Sequence, residues 1–264
     1  MLTLAYTMHR GKLCRQQQDC ILIDGTIHQD PVLPITAVSL AGDEVVLAVA
    51  DGVAASGGDR RIAPQQASRI VLEELLKAVR EHPEWLQDGF VANRHVRRAQ
   101  ARLAERLGSH RKTYGAASTL AVAHVRGQNS AILNVGDSRV YQVNREGRWC
   151  RLSKDHTVLQ GMIDRGHASP DAEYASVYGM LEHVLCADSE ESDFAIHRVQ
   201  ATLKPGDRLV LCSDGVHDEI SEEMLWELFD PLLDVAAQAK TWRDAVWRHG
   251  ARDNLSLVVA MIES

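Results

Sequence analysis

Val45-Val46-Leu47-Ala48-Val49-Ala50-Asp51-Gly52 and Leu209-Val210-Leu211-Cys212-Ser213-Asp214-Gly215 are apolar runs of strand length, each ending in an aspartate and a glycine. A third aspartate, in Arg252-Asp253-Asn254, stands just ahead of the apolar run 255–262. A strand end is a rigid mount, so an aspartate there projects a short, hard oxygen ligand to a defined point. Gly52 and Gly215 allow a sharp turn and a close backbone approach. If the three strands share one core, their carboxylates converge, and they raise one another's pKa unless a cation sits among them. Ligation by oxygen alone points to Mg²⁺ or Mn²⁺ rather than zinc.

Around these runs, strands are expected over 2–8, 20–24 and 44–50. Two helices follow. Residues 63–80 carry Ile70, Val71, Leu72, Leu75, Leu76 and Val79 at helical spacing, and 90–107 is rich in alanine and arginine and stops at Gly108. A β block comes next, over 118–125, 130–135, 139–144 and 149–152. Turns at Gly127-Gln128-Asn129 and over 144–147 make its neighbours antiparallel. Residues 157–193 show short helical pieces and no clear strand. Strands return at 194–199, 208–212 and 255–262, with helices over 222–229 and 232–249 between the last two. Clustered antiparallel strands and paired helices predict an α+β fold, a four-layer αββα sandwich of two antiparallel sheets flanked by helix pairs, rather than a doubly wound parallel sheet. No linker, repeat or low-complexity tract divides the chain, so one domain over 1–264 is expected.

The composition, 45% hydrophobic and 25% charged, is that of a chain able to build a globular core. Its net charge of −7 argues against nucleic acid as a partner. Arg94, Arg97, Arg98, Arg102 and Arg106 read as a solvated helix face. Cys14, Cys20, Cys150, Cys186 and Cys212 are odd in number and widely spaced, which excludes a disulfide framework and a zinc knuckle. Cys212 reads as a packed core thiol, and Trp226, Trp242 and Trp247 as cover for the core. No signal-peptide pattern opens the chain, and no apolar run approaches the roughly 20 residues of a membrane span. A cytoplasmic monomer without a membrane partner is the expectation.

Taken with their neighbours, the aspartates form an ordered set of motifs. Gln17-Gln18-Asp19 comes first, then Ala50-Asp51-Gly52, Ala117-Ser118-Thr119-Leu120 and Asn134-Val135-Gly136-Asp137-Ser138-Arg139. Lys154-Asp155-His156-Thr157, Gly206-Asp207 through Ser213-Asp214-Gly215, and Asp253-Asn254-Leu255-Ser256 complete it. The set resembles the metal-dependent protein serine/threonine phosphatases of the type 2C class, in particular compact bacterial members, over about residues 10–262. The resemblance implies that Asp51 bridges two metal ions and that the Gly52 carbonyl completes one of them. Asp214 and Asp253 would hold the other ion, and Asp19 would stand in the same shell. Asp137, with Asp214, would form a weaker third site. Asn254 would shape the turn behind Asp253, and Ser138 and Arg139 would be structural.

The implied activity is hydrolysis of phosphoserine and phosphothreonine in proteins by a metal-bridging hydroxide, reversing a bacterial serine/threonine kinase. Two cations suit such a reaction because they activate water and neutralise phosphoryl charge without a covalent intermediate. The residues for other routes are missing: there is no C-x₅-R, H-E-x-x-H, G-x-S-x-G or Walker A pattern.

Several positions depart from the family pattern. Cys14 stands where the phosphate-gripping arginine of the first motif is usual, and Arg15 is one position away, the expected substitute for it. Arg10 and Lys12 are the other candidates. Gln18 replaces a glutamate, which predicts weaker metal binding rather than its loss. After Gly52, Val53 leaves no general-acid histidine, and Gly57-Gly58 keep the family's glycine-rich turn feasible. His156 reads as hydrogen-bonding support. The segment 157–193 would be the flap beside the active site. Cys14 and Gln18 also motivate a rival reading, a pseudophosphatase that binds phosphoprotein without turnover. A hydrolase of small phosphoesters is a further rival.

Overall fold

The computed structural model describes residues 1–54, 63–170, 172–188 and 193–263. The N-terminal part is β1 (Leu2–His9), β2 (Cys20–Ile23), β3 (Thr26–His28), β4 (Val32–Leu40), β5 (Glu44–Ala50) and β6 (Gly52–Ala54). Helices α1 (Ala63–Glu81) and α2 (Gly89–Leu107) pack on each other. The β block is β7 (Ala116–Ser118), β8 (Leu120–Arg126), β9 (Asn129–Val135), β10 (Arg139–Val143) and β11 (Trp149–Arg151). The flap segment holds α3 (Val158–Asp164), a 3₁₀ turn at Ser176–Gly179 and β12 (Leu185–Cys186). Then come β13 (His197–Thr202), β14 (Arg208–Cys212), α4 (Asp214–His217), α5 (Glu222–Glu227), α6 (Val235–His249) and β15 (Leu255–Ile262).

Two six-stranded sheets run in the orders β11-β10-β14-β15-β1-β4 and β13-β9-β8-β5-β2-β3, with a small third sheet β12-β7-β6 at one end. Their pairings are antiparallel throughout. The expected four layers follow from how strand side chains alternate. On β5, Val45, Leu47 and Val49 enter the core between the sheets, while Val46, Ala48 and Ala50 meet α1 and α2. On β14, Leu209 and Leu211 face the same central core, and Val210 and Cys212 pack under α6 with Trp242 and Val246. A strand covered on both faces has no polar side, which is why these runs read as unbroken apolar stretches before their aspartates.

Besides β3, β6 and the small third sheet, four features differ from expectation. β4 is a full strand at the sheet edge beside β1, in a stretch where Pro31 and Pro34 argue against one. The edge accepts Pro34 because the β1–β4 register shifts between Tyr6 and Met8, a bulge that removes the need for its missing N–H. β13 begins at His197, three residues later than read, because Phe194 turns into the core under α2. The flap contains a short strand, β12, paired with β7. Finally, α6 starts at Val235 with Asp234 as its cap, its carboxylate accepting from the Ala237 N–H at 2.7 Å. The glycine turn read at residues 57 and 58 lies outside the described residues.

Arg139 at the start of β10 holds the block together. Its guanidinium reaches Asp155 through Nη2 at 2.6 Å and Nε at 3.1 Å, and Glu222 through Nη1 at 3.2 Å. Burial opposes charge on Asp155, but this guanidinium overrides it and keeps the carboxyl below its usual range. Arg139→Met leaves Asp155 charged and nearly buried with only Arg151, at 3.4 Å, still paired to it. The loss expected is at most about 3–5 kcal/mol, read as a lower urea midpoint at unchanged slope, with Arg139→Met/Asp155→Leu recovering most of it.

Candidate metal centre

Five aspartates from separate strand ends meet at one end of the sandwich. Asp19 precedes β2, Asp51 joins β5 to β6, Asp137 lies in the β9–β10 turn, Asp214 opens α4 after β14, and Asp253 precedes β15. Burial raises Asp51 well above the usual carboxylate range, and the charges of Asp214, Asp19 and Asp137 add to it. Asp214 is raised likewise by burial and then by Asp137, Asp253 and Asp19. Asp253 is exposed at the rim. The cluster thus repels itself, and its geometry has to be imposed by the backbone.

Two glycines impose it. A Cβ on Gly215 would lie 1.8 Å from the Asn254 carbonyl oxygen, so only glycine lets α4 press against the segment carrying Asp253. A Cβ on Gly52 would lie 2.2 Å from the Pro64 carbonyl oxygen and 2.8 Å from that of Gln18. Gly52 therefore packs the start of α1 and the Asp19 loop against Asp51.

Hydroxyls and one amide lock the loops. Asp19 is fully buried, and its Oδ2 accepts from Ser213 Oγ and Ser256 Oγ, both at 2.8 Å. Burial pushes Asp19 up to about 6 despite those hydroxyls. Thr119 Oγ1 accepts from the Asp51 N–H at 2.9 Å and lies 2.7 Å from Ser138 Oγ, tying Asp51 to the Asp137 turn. Asn254 Nδ2 donates to the carbonyls of Arg10 and Gln16 at 2.7 and 3.0 Å, and its Oδ1 accepts from the Gln18 N–H at 2.6 Å. It holds the loop before Asp19 onto the loop before β15. The roles of Thr119, Ser213 and Ser256 are absent from the sequence reading. A signal existed: β14 and β15 pair Cys212 with Leu257, which sets Ser213 beside Ser256 one step on.

The donor chemistry fits a hard divalent cation. Carboxylate oxygens predominate, the Gly52 backbone is at hand, and Asp19 Oδ1 and Asp137 Oδ1 are buried oxygens without a hydrogen-bond partner. Asp137 is pushed up to about 6 by burial, with His217 working against it and Asp155 and Asp218 adding to it. Among the described residues, no three His, Cys, Asp or Glu side chains are arranged to hold one ion as they stand.

Cys14, at the motif's arginine position, is half-buried and donates from Sγ to Asp253 Oδ1 at 3.1 Å. Burial and that bond push its thiol up to about 12, so it stays protonated. Arg15 is exposed on the same loop, and its side chain makes no hydrogen bond or ion pair among the described residues. Of the other candidates, Lys12 is held away by the Trp247 carbonyl at 2.8 Å and lies over the Trp247 ring. Arg10 donates to the Arg15 carbonyl at 3.3 Å.

His156 supports the Asp137 turn: its Nδ1 accepts from the Gly136 N–H at 3.1 Å, which requires a neutral ring. Burial, with His183 and His197 nearby, lowers it to about 4.

A family model described as Protein phosphatase 2C matches residues 20–252. Among curated relatives, the serine/threonine protein phosphatase PstP of Mycobacterium tuberculosis is 28% identical over 218 residues, 81% of this chain and 40% of PstP. The chain thus spans about two-fifths of that relative's length. The serine/threonine phosphatase stp of Listeria innocua is 24% identical over 221 residues, 81% of this chain and 83% of that one. The crystal structure of M. tuberculosis PstP superposes with a TM-score of 0.78 at 23% identity, covering 100% of both chains. A structure of the PstP catalytic domain in complex with two manganese ions gives 0.73 at 23% identity, also over 100% of both chains.

Two outcomes are expected. A histidine whose folded pKa lies below its unfolded value contributes stability above the unfolded pKa of about 6.5, lost as pH falls toward the folded value. Urea midpoints should therefore drop between pH 7 and pH 5 more in the wild type than in His156→Gln, which keeps an acceptor but does not titrate. Gly215→Ala should fold yet displace Asp214 from Asp253. Its thermal midpoint should then rise less with saturating Mn²⁺ than the wild type's, for which an ion at a hundredfold its Kd adds about 2.7 kcal/mol.

Proposed function

The chain belongs to the protein phosphatase 2C family, and we propose that it hydrolyses phosphoserine and phosphothreonine in proteins with the help of two Mn²⁺ or Mg²⁺ ions. The observation that carries this reading is the gathering of Asp19, Asp51, Asp137, Asp214 and Asp253 from five strand ends into one self-repelling cluster. Asp51 would bridge the two ions, with the Gly52 carbonyl on one of them. Asp214 and Asp253 would take the second, and Asp19 would stand behind it, oriented by Ser213 and Ser256. Asp137 with Asp214 would make a weaker third site. When bound, such ions lower the pKa of a coordinated water and offset charge on the phosphoryl oxygens.

The protein's own residues set the rest. Thr119 and Ser138 fix the distance between the Asp51 and Asp137 backbones. Arg15 has no competing partner among the described residues, and it is the cation proposed to grip the substrate phosphate. Cys14 donates to Asp253 rather than to a phosphate, so the grip in this chain moves to a neighbouring residue. The flap over residues 157–193 would govern which phosphoprotein is admitted. The whole described chain would act as one phosphatase domain, a cytoplasmic monomer opposing a serine/threonine kinase. No helix among the described residues is long and apolar enough to cross a membrane.

The test is phosphate release from a phosphothreonine peptide with Mn²⁺, with Mg²⁺ and with chelator. Turnover with metal that chelator abolishes is expected. Asp214→Asn and Asp253→Asn should each lower it by roughly a hundredfold or more with the circular dichroism unchanged, and Asp137→Asn should lower it less. Binding of the peptide without turnover under every condition would instead make the chain a pseudophosphatase.

A further inference from the structure

A groove of about 740 Å³ opens between α1, the end of α2 and the turn that follows it. Ile70 and Leu107 form its buried apolar floor. Arg69, Arg106, Arg111 and Lys112 line it, with His110 beside them, against a single carboxylate among the described residues, Glu73. Glu73 engages Arg69 at 3.1 Å and Arg106 at 3.4 Å. Arg111 and Lys112 are exposed and carry no ion pair among the described residues. On a chain whose net charge is −7, this is a local reversal of sign. The volume is that of a ligand pocket of roughly 300–1,000 Å³, far more than one phosphate needs.

One helix joins the groove to the metal centre. Helix α1 supplies Arg69 and Glu73 to the groove, Pro64 against Gly52, and Ser68, whose hydroxyl donates to the Gln18 carbonyl next to Asp19. Pro64 and Arg69 are five residues apart on α1, about 7–8 Å along the helix axis, so the groove begins little more than a turn beyond the contact with Gly52. The opposite wall is fastened to the end of the flap: Tyr114 Oη donates to Asp188 at 2.6 Å, and Gly108 packs on the Ala187 carbonyl.

We propose that this groove docks an acidic segment of the protein substrate while the phosphorylated side chain occupies the metal centre. The proposal rests on the phosphatase reading. The cations attract carboxylates near the phosphosite, and the apolar floor accepts the stems of the same side chains. Sequences with acidic residues beside the phosphothreonine are then favoured through KM rather than kcat, because the docked carboxylates take no part in the reaction. Screening should erase the preference, since at 0.1 M salt the Debye length is about 10 Å.

The experiment compares two phosphothreonine peptides, one flanked by glutamates and one with glutamines in their place, at low and high salt, in the wild type and in Arg111→Glu/Lys112→Glu. p-Nitrophenyl phosphate reports on the metal centre alone, and fluorescence anisotropy of the labelled peptides reports binding without turnover. In the wild type the acidic peptide should have a KM and a Kd lower by about tenfold, an advantage lost in the double variant and at high salt. Turnover of p-nitrophenyl phosphate should stay the same. Equal KM and Kd for the two peptides, with both hydrolysed, would overturn the docking site and leave the phosphatase reading standing. Absence of turnover with Mn²⁺ would sink the phosphatase reading, while anisotropy would still decide the groove. A preference that survives in the double variant would overturn it as well.

Discussion

Everything at this end of the molecule depends on holding carboxylates together against their own repulsion. Asp51 is forced toward protonation by burial and by Asp214, and Asp214 by burial and by Asp137 and Asp253. Such a cluster cannot assemble itself, so the stability of the sheets has to keep it in place. The stabilising surface lies on both sides of each sheet, in three apolar cores stacked between helices, sheet, sheet and helices. Each aspartate then sits where a well-packed strand ends, and strain at the centre is opposed by burial along the strand.

The arrangement separates two tasks that sequence places next to each other. Apolar residues of a strand anchor, and the residue or two beyond it carry chemistry. Ser213 shows the join: its backbone continues the pairing of β14 with β15, and its hydroxyl orients Asp19. Asn254 does the same for loops, since one amide fastens the segments before Asp19 and before β15. Cys14 marks the place where this chain departs from the family pattern, a protonated thiol directed at Asp253 beside an arginine whose side chain has no partner among the described residues.

Much of this was legible in the sequence, for a physical reason. A strand buried on both faces leaves an unbroken apolar run, and an aspartate at its end stands out, so Asp51 and Asp214 announced both the layers and the centre. Less legible were the elements whose stability is tertiary. β4 carries Pro34 and is tolerated only because it lies at an edge and bulges. β12 is two residues long and exists because β7 is there to pair with it. Contacts such as Thr119 with Ser138 join residues 19 apart in the chain and depend on register, which composition does not record. The basic groove was hidden in the same way: of its cations only Arg106 belongs to the arginine-rich helix face legible in the sequence, and only the fold sets the turn at 110–112 beside Arg69.

On the proposed reading, this cluster would hold two divalent ions with Asp51 shared between them. Electron paramagnetic resonance of the protein loaded with two equivalents of Mn²⁺ tests it most directly, because two ions sharing a carboxylate couple their spins. A spin-coupled signal is expected in the wild type, giving way to isolated Mn²⁺ lines in Asp51→Asn. Isolated lines in the wild type, or an unchanged coupled signal in Asp51→Asn, would contradict it.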